Sequence, residues 1–437
     1  MVTLQPLFRT ASADSTTKAN MTCSSGVADY QWLTGDEAAA LLGELSASPQ
    51  SLHSTAERLR RMLSPDRTHL LLEQVELRRH AAAKFQHADR MFFTRTALEQ
   101  ATDQWVAACK ATRFAGHESV ADLCCGIGGD LLALGNATAT IGVDQSPIAT
   151  HLAAANARAV LNPLAQKRIS LQTCDVQRFA LADVSAWHLD PDRRPSGSRT
   201  TSLAWSSPPL PVVEQLLVTV PHAAIKLAPA AQVSDAWQER CELEWIGRDR
   251  QCRQLVAWHG NLAQAPGLRR ATVLAGDDAT PSDVRTVVGK PDQIVPITDR
   301  LERFILEPDP AVLAAHLTGA LAAEHGLAAL ATGPSYLTGS LPVDDAALAC
   351  FEVEEVLPAK IRTLAQSLRE RGIGQLEIKK RGVDLDPERV RRELKLRGEL
   401  AATLLFTPLA GRQVAILARR IKSRGHASDL QPLDSDL

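Results

Sequence analysis

At 437 residues, 45% hydrophobic and a formal net charge of −2, the chain can bury two or three cores and has no overall charge bias toward a polyanion. None of its eight cysteines forms a Cys-x-x-Cys pair, which argues against a metal site or a disulfide framework and for a reducing cytoplasm. No apolar run reaches membrane length, because the longest candidate, 311–331, is interrupted by His316, Glu324 and His325.

Residues 1–29 are expected as a disordered tail. The first 27 are Ser/Thr-rich with few acids and lack the apolar core of a targeting peptide; a start misassigned upstream of Met21 reads the same way. Residues 30–115 read as a helical region. Thr34 and Glu37 have capping-box spacing ahead of the apolar run Ala38–Leu45. Pro49 and Pro65 punctuate it, and a helical pattern continues from Glu73 to Phe114. Such a preface either covers a ligand or packs on a sheet edge, and the pattern leaves both open.

Residues 116–275 read as an α/β domain. A short apolar run ends at Asp122, glycines fall at Gly126, Gly128 and Gly129, and an apolar stretch follows from Leu131. That is a strand, a tight turn and a helix start. A second run, Thr140–Val143, closes on Asp144. Two buried strands ending in acids, with a glycine turn between, describe the first half of a nucleoside-binding sheet. A dinucleotide fingerprint would need glycine at position 131, where Leu131 stands. An acid four residues before the first glycine suits S-adenosylmethionine instead, which has no pyrophosphate to cradle. Asp122 then sits near its α-amino group, Asp144 accepts from its ribose diol, and Gly126 and Gly128 let the backbone approach.

A third strand, Ile169–Cys174, ends at Asp175, where a carboxylate can read an adenine amino group and Val176 offers a backbone donor. The fourth ends in Asp190-Pro-Asp-Arg-Arg194. An acid followed by Pro191 places a rigid carboxylate at the mouth of the sheet. Asp190 can accept from an N–H acceptor or take its proton, while Arg193 and Arg194 bind a phosphate or orient it. A fifth strand, Ala223–Leu227, carries Lys226, a charge expected to face a cleft. Glu242–Ile246 and Gln254–His259 read as an antiparallel pair, followed by Thr272–Leu274.

Residues 276–299 read as a linker, after which Phe304–Ala311 opens a helical segment in a C-terminal region, 300–425, before a tail, 426–437. From about 350 to 422 the order is strand, helix, strand, helix, strand, strand, suiting a small ferredoxin-like RNA-binding module. Residues 360–424 hold 17 Lys+Arg against 7 Asp+Glu. Lys379, Lys380, Arg381, Arg391, Arg392, Lys395, Arg419 and Arg420 are candidate phosphate contacts.

These segments together carry a resemblance. Leu98-Glu-Gln-Ala-Thr102, Cys125-Gly-Ile-Gly-Gly-Asp130, Val143-Asp144, Asp190-Pro-x-Arg-Arg194, Glu307-Pro-Asp-Pro-Ala311 and Ile378-Lys-Lys-Arg-Gly-Val383 resemble, over nearly the full length, bacterial class I S-adenosylmethionine-dependent methyltransferases with a C-terminal THUMP-like domain. The resemblance implies a Rossmann-like sheet behind a helical region, S-adenosylmethionine as cofactor, and a module that presents structured RNA. It adds Gln100, Thr102, Cys124, Gly129, Asp130 and Gln145 to the cofactor residues. Two positions depart from the family's pattern: Asp192 replaces a small residue, and the hairpin Arg248–Arg253 is more basic than usual.

The similar Asp-Pro-x-Arg motif of RNA uracil-C5 methyltransferases needs a cysteine nucleophile after the fifth strand. Ala224-Ile-Lys-Leu-Ala-Pro229 has none, which favours a nitrogen or oxygen acceptor. The leading reading is a methyltransferase of tRNA or rRNA. A small-molecule or protein methyltransferase, and a non-catalytic RNA-binding protein that keeps the cofactor fold, remain as alternatives.

Overall fold

The computed structural model describes residues 26–47, 57–181, 183–192, 207–275, 283–333 and 335–421. The chain divides into two compact units, one of residues 1–192 and 206–221, the other of residues 193–205 and 222–437.

The first unit holds strands β1 (Ser119–Leu123), β2 (Ala139–Asp144), β3 (Ile169–Thr173) and β4 (Ala186–Leu189). They run parallel in the order β3-β2-β1-β4. β4 is buried at every position and β1 at all but its first. Their sequences are therefore near-continuous apolar runs, as parallel strands covered on both faces require. The helix Leu131–Ala137 packs tightly on this sheet, since a Cβ at Gly142 would lie 3.0 Å from Leu131 and 2.7 Å from Leu171. The next helix, Pro147–Val160, opens on Ser146, whose hydroxyl accepts from the Ala149 amide, with Pro147 in the first turn.

The helical preface is present but begins earlier than expected. Residues 26–33 are already helical, so 26–29 are not a tail. Leu33 is fully buried with Ala38, Leu42, Leu71 and Val75, and this packing outweighs the polar composition before it. The capping box does not form: Thr34 donates to Gln31 O and meets His151, while Glu37 accepts from the Trp32 indole. Phe85, Met91, Phe93 and Leu98 form a core with Ile127, Leu132 and Leu152, so this part of the preface packs on the helices of the sheet.

In the second unit β5 (Ala223–Leu227), β6 (Glu242–Arg248), β7 (Gln251–His259), β8 (Arg269–Ala275) and β9 (Asp283–Gly289) follow the order β5-β7-β6-β8-β9. Only β6 and β8 are parallel. The expected linker thus contains a strand. Its Pro- and Asp-rich flanks hide the β-branched run Thr286-Val287-Val288, whose Val287 is fully buried.

A separate seven-stranded sheet comprises β10 (Phe304–Pro308), β11 (Ala328–Ala329), β12 (Leu337–Gly339), β13 (Leu348–Pro358), β14 (Ile373–Lys380), β15 (Leu400–Leu409) and β16 (Arg412–Arg420), in the order β11-β12-β10-β13-β16-β15-β14. Phe304–Pro308 is a strand, not a helix start: it is buried throughout and pairs with β12 and β13, which leaves no polar alternation to read. The helices Ile361–Glu370 and Pro387–Leu394 lie where the sequence puts them. The closing pair β15–β16 departs from the β-α-β-β-α-β ferredoxin-like succession, and β14 and β15 are parallel, joined through the second helix.

Glu307 on β10 ties this unit together. Its carboxylate, 8% exposed, meets Lys379 at 2.8 Å and both Arg250 and Arg381 at 3.3 Å. Burial pushes the carboxyl up, but the Lys379 hydrogen bond and the three cations outweigh it and hold the group below the usual carboxylate range. A carboxyl depressed in the folded state contributes stability above its unfolded pKa and loses that contribution as pH falls through the folded value. Glu307→Gln should therefore cost about 3 kcal/mol near pH 7. The difference from the parent should shrink below about pH 4, as read by urea unfolding across pH.

Candidate functional site

The turn after β1 is built from left-handed backbone. Cys124, Gly126 and Gly128 have φ of 59°, 55° and 94°, a region that costs a side-chain-bearing residue and suits glycine. A Cβ at Gly126 would meet nothing within 4 Å, so the turn is open there to a ligand. Asp144, at the end of β2, pins it: Oδ2 accepts from the Gly126 amide and Oδ1 from the Ser146 amide, each at 2.9 Å. Burial pushes the Asp144 carboxyl up against these two bonds, and the charge of Asp192 adds to the rise. Each carboxylate oxygen can accept a second donor, as a ribose diol requires.

Three residues expected at the ligand are buried beneath the turn and engaged by other side chains. Asp122 is 1% exposed. Paired strands place it opposite His188 of β4, and its Oδ1 meets His188 Nδ1 at 2.7 Å. Lys110 Nζ follows at 3.1 Å from His188 Nε2 and 2.7 Å from Asp130 Oδ1, and Asp130 Oδ2 accepts from Thr102 Oγ1 at 2.7 Å. Asp122, Asp130 and Thr102 therefore belong to a buried ladder under the turn. Gly129 serves the same packing, because its Cβ would lie 2.9 Å from Thr102 O. The sequence reading missed Lys110 and His188. Their signal was a lysine in the apolar run Trp105–Ala111 and a histidine in Ala186–Leu189, since a charge buried in an apolar element needs a partner.

Asp190 follows β4, and its amide donates to Leu123 O at 3.2 Å. Pro191 is buried and Asp192 exposed, with Gln100 Nε2 donating to Asp192 Oδ1 at 3.2 Å. Gln100 thus reaches the loop that carries Asp190. The Cys124 thiol is pushed well up by burial first, then by the charges of Asp144, Asp190, Asp122 and Asp192. Four carboxylates around one turn suit a ligand with a cationic centre. Gln145 and Asp175 are exposed beyond β2 and β3. Asp175 Oδ1 accepts from the Gln177 amide, capping a short turn in which Val176 is buried. Arg193 and Arg194 lie outside the described residues. Lys226 is buried in β5 of the second unit.

The basic C-terminal residues divide into two groups. Lys379 and Arg381 are held by Glu307, and Lys380 donates to Leu385 O, so these three are engaged within the fold. The charge count over 360–424 could not include Glu307, which lies on β10. Arg391, Arg392 and Lys395 line an open groove of 1260 Å³ with Arg371, Arg419 and Arg420; Arg391 also donates to Leu376 O and pairs with Glu388, and Arg371 pairs with Glu355. Arg419 and Arg420 also pair with Glu352 and Glu377.

The Thr102–Gly129 contact is directly testable. Gly129→Ala should cost about 1–3 kcal/mol by overpacking and lower the melting temperature without ligand present, whereas Gly126→Ala, which meets no atom within 4 Å, should cost about 1–2 kcal/mol through its left-handed backbone instead.

Residues 348–420 match the family described as THUMP domain-like, and residues 26–81 match a domain of unknown function (DUF8688). An uncharacterised S-adenosylmethionine-dependent methyltransferase of Mycobacterium tuberculosis is 32% identical over 353 residues, spanning 78% of this chain and 93% of its own. The crystal structure of a putative methyltransferase from Porphyromonas gingivalis covers 91% of this chain and 98% of its own, at a TM-score of 0.72 and 21% identity, and so shares the fold. On its identity to the mycobacterial relative across most of both chains, the protein belongs to the S-adenosylmethionine-dependent methyltransferases, with S-adenosylmethionine as cofactor.

Proposed function

We propose that this methyltransferase modifies structured RNA, tRNA or rRNA, at a nitrogen or oxygen acceptor. The observation that carries the reading is the groove in the THUMP domain-like region, where six cations, Arg371, Arg391, Arg392, Lys395, Arg419 and Arg420, face Glu354 and Glu377. Cations gathered along a groove suit a phosphate backbone.

In the first unit, Asp144 receives the ribose hydroxyls, and the backbone at Gly126 and Gly128 admits the methionyl end. Asp175 and the Val176 amide lie toward the adenine. The bound cofactor supplies a methyl group already activated on a cationic sulfur, so the chain's task is alignment. Asp190, stiffened by Pro191, accepts a hydrogen bond from the N–H or O–H of the acceptor and can hold its proton. Gln100 steadies that loop through Asp192; by sequence motif alone, Arg193 and Arg194 are the candidate phosphate contacts and Lys226 a candidate cation for the acceptor. An acceptor of this kind attacks directly, and the residues after β5 carry no cysteine for carbon methylation.

Labelled S-adenosylmethionine offered with total RNA from a strain lacking the gene should leave label in RNase-sensitive material, and Asp190→Asn should abolish it. Label only in protein or small molecules would overturn the RNA reading. Asp144→Ala should weaken cofactor binding by about 1–3 kcal/mol by calorimetry, whereas Asp190→Asn should leave that affinity near the parent's while lowering turnover. RNA affinity should fall steeply with salt, and Arg392→Ala with Lys395→Ala should flatten the slope by roughly two counterions; a flat profile in the parent would retire the groove.

A further inference from the structure

Between the helices Pro65–Ala81 and Arg95–Gln100 the chain runs as a series of tight turns with every third residue anchored. Phe85, Ala88 and Met91 are each 2% exposed and share a core with Ile127 of the glycine turn. The intervening Gln86, His87, Asp89 and Arg90 are exposed. Hydrogen bonds tie both ends of this segment to the cofactor fold. At one end Lys84 O accepts from the Gln104 amide at 3.0 Å, and Gln104 Oε1 accepts from the Gln86 amide at 2.8 Å. At the other the Phe92 amide donates to Asn156 Oδ1 at 2.7 Å, and Asn156 Nδ2 donates to Ile127 O at 3.0 Å. The segment is thus fixed at the C-terminal ends of the strands, where α/β sheets bind ligands.

Two of its cations are left over by the fold. Glu73 and Glu76 both pair with Arg95 at 3.5 Å. Arg78 Nε donates to Met91 O at 2.9 Å, and the charge of Asp89 acts on the same guanidinium. That contact brings the chain neighbours of Arg78 and Met91, namely Arg79 and Arg90, into one patch. Arg79 and Arg90 are exposed and make no side-chain hydrogen bond or ion pair among the described residues.

We propose that Arg79 and Arg90 form a second phosphate-binding face, on the first unit, which takes the RNA backbone flanking the nucleotide presented to Asp190. The inference rests on the RNA reading above and gives the helical preface a share in it. The mouth of the site is acidic, since Asp144, Asp190 and Asp192 all act on the Cys124 thiol. Gln100, in the segment that holds the Lys84–Gln86 turn, reaches Asp192 itself. Phosphates on either side of an acceptor nucleotide are repelled by such a mouth. Guanidinium groups on its rim offset that repulsion, and each can hold a phosphate through two parallel N–H donors.

The test is binding of labelled total RNA, from a strain lacking the gene, to the full chain across a range of salt concentrations. Arg79→Ala combined with Arg90→Ala should lower the slope of log affinity against log salt by about 1.5–2 units, the loss of two phosphate contacts. Calorimetric affinity for S-adenosylmethionine should stay at the parent's, because neither residue belongs to the cofactor turn. Arg79→Lys combined with Arg90→Lys keeps both charges and should keep the parent slope. Lys167→Ala removes an exposed cation just before β3, at the opposite ends of the strands, and should also leave the slope unchanged. An equal fall in Lys167→Ala would mean a general charge effect and overturn the face. A parent slope in the Arg79→Ala, Arg90→Ala protein, with a lowered one in Arg392→Ala, Lys395→Ala, would overturn the face and leave the RNA reading standing. A flat profile in the parent itself would remove both.

Discussion

The first unit depends on burying charge without stranding it. Asp122, His188, Lys110, Asp130 and Thr102 are each at most 6% exposed, yet consecutive members lie within 3.1 Å of one another. A lone charge in such surroundings costs several kcal/mol, on the order that makes groups titrate rather than stay ionised. The ladder avoids this by joining four elements that are distant in sequence: the segment at Thr102, the helix bearing Lys110, β1 with its turn, and β4. β1 with its turn supplies two partners and the other elements one each, so the turn, the strand leading to Asp190 and the helical preface are fixed relative to one another by the same bonds.

That arrangement also explains why the preface belongs to the cofactor fold. Thr102 O comes so near Gly129 that no Cβ fits between them, and Lys84 Nζ caps the carbonyls of Leu98, Glu99 and Ala101 just before it. The segment Leu98–Thr102 is therefore held at both ends. Gln100, at the exposed end of its helix, can then reach Asp192. Packing sets the geometry here, and the polar tip that faces solvent reaches the loop after β4.

The second unit applies the same rule with opposite sign. A buried carboxylate, Glu307, gathers Arg250, Lys379 and Arg381, while Asp309, with no exposed side-chain area, accepts from the Ala311 amide and from Arg250. Two of the signature segments, Glu307–Ala311 and Ile378–Val383, are thus partners of each other. Their cations hold β10 to β14, leaving the groove to residues of the second helix and the far strands.

The sequence by itself determined the α/β class, the four parallel strands, the glycine turn and the cofactor family. Strand ends, left-handed positions and apolar runs are local, and the residues Asp122, Gly126, Gly128, Asp144 and Asp190 sit at fixed distances along the chain from them. It placed the helices Ile361–Glu370 and Pro387–Leu394 for the same reason: their apolar periodicity is local. Strands β9 and β10 escaped because one is flanked by turn-forming residues and the other is buried on both faces, so neither shows alternation. Only the tertiary structure decided what each charged side chain does. Whether Asp122 meets a ligand or His188, and whether Lys379 meets a phosphate or Glu307, depends on a partner tens of residues away. Charge pairing acts through space at a few ångströms, and spacing along the chain carries no record of it.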